Sequence, residues 1–172
     1  KDRIRMNCKI IDIHTHIYPV ALARRAMEVT GQEHDDFKNL PIRENLLTRM
    51  QDAGVTLSVN LPVVSKPQNQ AEVNRFAKES ARKNIIPFGG LHPDCENVAE
   101  ELEKLKDMGM AGIKFHPPFQ KVHLEDPKYE EMWRRINALG FPVLIHCGTA
   151  KIARPYDLYP SGVRKILKYA PD

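Results

Sequence analysis

No apolar run in the sequence reaches the about 20 residues that a membrane-crossing helix needs. Nor does the chain show the basic-then-apolar pattern of a secretory leader. Cysteine is scarce. Cys8, Cys95 and Cys147 are an odd number, widely spaced, with no Cys-X-X-Cys. That excludes a disulfide framework and a zinc finger, and points to reduced thiols in a cytoplasmic protein. Charge of one sign is also lacking, with 26 Lys and Arg against 22 Asp and Glu. These charges are scattered, apart from a short basic cluster at 1–5, so no track for nucleic-acid phosphates is expected. There is no Gly-X-Ser-X-Gly, which argues against acyl-enzyme chemistry. No linker or low-complexity stretch interrupts residues 1–172, so a single domain is expected. At 172 residues and 42% hydrophobic, the chain can bury the core of one.

What is present is a rhythm. Strands are expected at 9–16, 55–61, 85–91, 110–115 and 142–147. Helices are expected at 20–30, 42–53, 70–83, from Asp94 to Met108, from Asp126 to Leu139, and at 161–169. Gly31, Gly54, Gly109 and Gly140 stop helices. Asp94 reads as an N-cap, and Asp126-Pro127 as an N-cap and first-turn pair. Repeated β-α units of roughly 25–35 residues are the mark of a parallel α/β fold. The strands are near-continuous apolar runs, as covered strands should be. A doubly wound sheet would place a glycine-rich phosphate turn after its first strand. Thr15-His16-Ile17-Tyr18-Pro19 holds no glycine, so a barrel fits better.

Polar residues gather at the strand C-termini, the edge where parallel α/β folds build their sites. His14 and His16 are two apart on the first strand and therefore share a face. Two imidazoles on one face can reach a single metal ion. His92, Lys114, His116 and His146 end three later strands. Each has a plain alternative as a packed or solvated side chain. Lys114 and His116 share a face by parity. Cys147, next to His146, should turn toward the helices as core. Met132 and Trp133 should pack their helix on the sheet. Asp12 is placed to support a ligand histidine. His34 and His123 sit in polar loops.

Four segments carry a resemblance. They are Ile11-Asp12-Ile13-His14-Thr15-His16, Phe88-Gly89-Gly90-Leu91-His92-Pro93, Gly112-Ile113-Lys114-Phe115-His116-Pro117 and Val143-Leu144-Ile145-His146-Cys147-Gly148. In this order the chain resembles the amidohydrolase superfamily, in particular its amidohydrolase 2 branch of metal-dependent hydrolases and non-oxidative decarboxylases. The resemblance implies a TIM (β/α)8 barrel, of which about five β-α units, roughly the N-terminal two thirds, lie in this chain. It implies a divalent metal ion, zinc first, held by His14, His16 and His146. The family's strand-six His and strand-eight Asp would lie beyond Asp172, so no catalytic residue is assigned and the chain alone is expected to be inactive. Lys114, His116 and His92 are assigned to substrate binding or to support of the ligands. Lys114 is alternatively a carboxylated metal bridge.

The expected reaction is hydrolysis of an amide, ester or lactone of a small molecule by metal-activated water. Decarboxylation by the same family, a TatD-like deoxyribonuclease and a non-catalytic partial barrel are the alternatives. Lys114 stands where the deoxyribonuclease family expects Glu. A small-molecule substrate is the expected partner, without nucleic acid or membrane, in a chain that can form a homo-oligomer.

Overall fold

The computed structural model describes residues 9–30, 37–148 and 154–172. His34 lies outside the described residues. The chain divides into two compact units. The first runs through residue 60 and takes in 80–86, and the second holds 61–79 and 87–172.

In the first unit, β1 (Ile10–Thr15) and β2 (Val55–Asn60) pair in parallel, with Asp12 opposite Ser58 and Thr15 opposite Asn60. β3 (Ile85–Pro87) completes a three-stranded sheet in the order β1-β2-β3. Between β1 and β2 stand α1 (Val20–Thr30) and α2 (Arg43–Ala53). Gly54 stops α2 with φ of 71°, and its N–H returns to the carbonyls of Met50 and Gln51. Only a residue tolerant of the left-handed region makes this stop cheaply. A small core of Ala23, Met27, Leu40 and Ile42 pins α1 to the 37–42 segment. Ile10, Ile11 and Ile13 of β1 stay exposed.

In the second unit, β4 (Gly89–Gly90), β5 (Ile113–Phe115) and β6 (Val143–Ile145) form a parallel sheet in that order. α3 (Gln70–Ser80) belongs here except for its last residue. α4 (Val98–Asp107), α6 (Glu130–Ala138) and α7 (Pro160–Ile166) complete the helices, with a one-turn α5 (Pro117–Gln120) after β5. The core is continuous: Leu102 and Leu105 of α4, Ile113 and Phe115 of β5, and Met132, Trp133 and Ile136 of α6. Trp133 packs on Phe115 with ring centres 5.3 Å apart, and its indole N–H donates to the Leu124 carbonyl at 3.0 Å. This is the packing expected of Met132 and Trp133.

Several boundaries differ from the sequence reading, each for a local reason. The expected strand at 85–91 is two short strands separated by Phe88. A Cβ on Gly90 would come within 2.5 Å of Val64, so the chain there is drawn too close for a side chain. The cap of α4 is Asn97, whose side-chain oxygen accepts the Glu100 N–H at 3.1 Å. Asp94 is engaged instead by the Tyr129 hydroxyl at 2.8 Å and the Lys128 ammonium at 3.1 Å. Asp126-Pro127 opens a 3-10 turn before α6, and the Asp126 carboxylate accepts the Lys128 N–H. Cys147 is exposed, not core, because β6 ends at Ile145 and strand alternation does not extend to it.

Candidate functional site

The site residues fall into two groups, one per unit. His14 and His16 come together in the first, with ring centres 5.1 Å apart and planes at 65°. An imidazole bound to zinc places its ring centre about 3.2 Å from the ion, so two rings on one tetrahedral ion stand about 5 Å apart. The observed spacing meets that requirement. His14 is the penultimate residue of β1, and His16 lies one residue past its end. Asp12, which could have supported one of these rings, turns its carboxylate to the His14 backbone N–H at 3.0 Å. His16 also borders a cavity of about 210 Å³ shared with Met27, Leu40, Asn45 and Arg49. That is below the roughly 300–1,000 Å³ of a drug-sized site and suits a small ligand or one arm of it.

The second group is buried. Lys114 lies in the middle of the central strand β5 and is about 1% exposed. Among the described residues, no hydrogen-bond partner reaches its Nζ. Burial therefore pulls its pKa down to about 8, and Cys147 only partly counters this. His116 follows β5 and His146 follows β6. Their rings stack 4.1 Å apart at 9°, and Phe119 stacks on the other face of His116 at 4.0 Å. The His116–His146 spacing is shorter than two rings on one tetrahedral ion allow, so these two stack rather than chelate together. His92 is buried, and its Nδ1 accepts the Asp94 N–H at 3.2 Å. A further hydrogen bond runs from its ring to the Gln120 carbonyl, and burial lowers its pKa. These bonds select the neutral tautomer with the proton on Nε2 and tie the ring into the wall.

Carboxamides were missing from the sequence reading. Asn74 grips Gly90 from both sides, accepting its N–H at 2.7 Å and donating to its carbonyl at 2.9 Å. Gln70, one helical turn earlier, accepts the His92 N–H at 2.7 Å. Asn60 accepts the Ile17 N–H at 3.0 Å, and Gln120 bridges Leu91 to His116. The available signal was Gln70 and Asn74 at i, i+4 on an otherwise apolar helix face.

Within each unit, no group of three or more His, Cys, Asp and Glu side chains among the described residues is gathered for a metal. The sequence profile of the amidohydrolase family matches residues 11–165. The chain belongs to the amidohydrolase family. No curated protein matches it. Solved structures do, at low identity. One is the 5-carboxyvanillate decarboxylase of Sphingomonas paucimobilis, at 13% identity and TM-score 0.61, with 95% of this chain and 65% of that one covered. Another is a putative 2-pyrone-4,6-dicarboxylic acid hydrolase of Pseudomonas putida, at 19% and 0.59, covering 94% and 54%. A third is the 4-oxalomesaconate hydratase of Rhodopseudomonas palustris, at 23% and 0.56, covering 80% and 52%. These likenesses fix the fold as part of a (β/α) barrel. The amidohydrolase chain spans about half to two thirds of the length of these structures. Among the described residues, no helix is long and apolar enough to cross a membrane.

Proposed function

We propose that this chain is the metal-holding portion of a hydrolase that directs water onto an amide, ester or lactone of a small carboxylated molecule. The observation that carries this reading is the His14–His16 pair, whose 5.1 Å ring separation suits one tetrahedral ion. We assign zinc as the ion, on the imidazole donors. When bound, such an ion supplies Lewis acidity, lowering the pKa of water and polarising a carbonyl.

The chain's own residues do the rest. Lys114, with its pKa at about 8, is mostly an ammonium at pH 7, and it is buried with no hydrogen-bond partner among the described residues. A carboxylate on the substrate would relieve that cost, which makes Lys114 the anchor we assign for the anionic group. His116, held flat between Phe119 and His146, presents only its ring edge to a substrate. An anchored carboxylate also serves a decarboxylase, and that second reading draws on Lys114 as well.

Zinc titration by equilibrium dialysis tests the ligand assignment. His14→Ala and His16→Ala should each weaken zinc binding by more than the roughly 10–100-fold typical of losing a supporting group. Turnover of a panel of simple esters, lactones and amides by a version of the enzyme that completes the barrel should vanish on chelation and return with zinc. Unchanged zinc affinity in both variants, or turnover indifferent to exhaustive chelation, would overturn the reading.

A further inference from the structure

The hydrogen-bond ladder between β4 and β5 ends at Gly90 opposite Lys114. Beyond that rung the two strands diverge into loops that carry His92 and His116. One buried side chain spans the gap. Gln120, about 5% exposed, accepts the His116 N–H through Oε1 at 2.9 Å and donates from Nε2 to the Leu91 carbonyl at 2.7 Å. A carboxamide carries the same donor and acceptor as a peptide group, so Gln120 acts as one more rung. Its own main-chain carbonyl accepts from the His92 ring. A single residue thus fixes the backbone of His116, the carbonyl before His92 and the tautomer of His92. Its hydrogen bonds leave no polar atom of the amide idle on the strand side.

We infer that Gln120 is the positioning residue of this strand edge, holding His92 and His116 in register with Lys114. The inference rests on the proposed reading only for the edge being the working face. The residue type is specific. An ionised Glu accepts from His116 but repels the Leu91 carbonyl, Met fills the volume with neither donor nor acceptor, and Asn is one carbon short. A protonated Glu, however, restores a donor, so Gln120→Glu should behave like the wild type in acid and unlike it in alkali. The ionisable groups next to that carboxyl are His92 and His116, with Lys114 two residues before His116.

The test is NMR of the whole chain labelled with 15N-histidine, for wild type, Gln120→Met and Gln120→Glu, across pH 5–9. Emission of Trp133, the one tryptophan, reports whether the core is intact. In the wild type His92 should show a single neutral tautomer, protonated on Nε2, titrating below the ordinary histidine value. In Gln120→Met it should become a mixture of tautomers and titrate closer to that value. Gln120→Glu should switch between the two patterns with pH. If Gln120→Met fails to fold, the pH switch of Gln120→Glu carries the test alone. Wild-type signals for His92 in these variants at every pH, with only the melting temperature lowered, would make Gln120 mere filling and overturn the inference. Neither metal nor substrate enters this readout, so its failure would leave the zinc titration to be judged separately.

Discussion

The two histidine pairs make an instructive contrast. His14 near the end of β1 and His16 just past it meet edge to face at 5.1 Å. His116 and His146 come from two different strands and stack face to face at 4.1 Å. The first pair is local, two residues apart at the end of β1, and has the spacing of ligands. The second is set by the parallel pairing of β5 with β6, which brings successive strand ends side by side. Residues of one type at equivalent strand ends therefore do different physical work, and ring spacing tells them apart. The surroundings differ in the same sense. β1 shows its isoleucines to solvent, while β5 is enclosed by α4 and α6 through a core that includes Trp133.

The sharpest way to break this contrast is to cut into each side. Trp133→Ala should cost about 3–5 kcal/mol, the range for emptying a fully buried aromatic site. Ile13→Thr, at a position 62% exposed, should fall within about 0.5 kcal/mol of wild type. Urea unfolding followed by circular dichroism measures both. If Ile13→Thr proved as costly as Trp133→Ala, β1 would be covered in solution and the contrast in exposure would fail.

A smaller effect is expected at Lys114. Lys114→Met should stabilise the chain by about 1–3 kcal/mol at pH 7, because it removes a buried cation with no hydrogen-bond partner among the described residues. The native pKa of about 8 lies below the ordinary 10.5. Between those values the unfolded chain holds a proton that the native chain has lost, so wild-type stability rises with pH across that window. The advantage of the Met variant should therefore be full below pH 8 and gone by about pH 10.5. An advantage that is flat across this window would mean that Lys114 keeps its proton through a partner supplied in solution.

Much of this was legible in the sequence. The β-α rhythm, the strand-end histidines and the family resemblance follow from apolar runs, glycine stops and His14-Thr15-His16. Helix α1 begins at the expected residue, its expected stop at Gly31 lies outside the described residues, and α2 begins one residue later than expected. What escaped was decided by contacts distant in sequence. Asp94 has the chemistry of an N-cap, yet Tyr129 and Lys128, 34–35 residues further on, engage it. Gln120 reads as an ordinary polar loop residue until Leu91 and His116 are seen on either side of its amide. The tight places of Gly89 and Gly90 depend on Leu105 and Val64, which approach them closely. Period and spacing describe an element's own face and are silent about what arrives opposite it.

A modest effect belongs to His92, and its sign separates two accounts of the ring. Burial lowers its pKa, while Asp94 pulls the other way. Burial should win, because the Asp94 carboxylate is already shared between Tyr129 and Lys128. The native pKa then lies below the unfolded value of about 6.5. Between the two, the unfolded chain binds the extra proton, so His92 contributes stability at neutral pH that is lost as the pH falls below about 6.5. His92→Gln gives up the ring's two hydrogen bonds and should cost about 1 kcal/mol at pH 8. That difference should shrink by pH 5, since only the wild type carries the titrating ring. The comparison needs paired denaturation curves at the two pH values, in which the other carboxylates and histidines cancel. A difference that grows in acid would mean that His92 gains a proton on folding. Asp94 would then be its partner despite Tyr129 and Lys128, and His92 would be a charged member of the strand edge rather than a neutral strut.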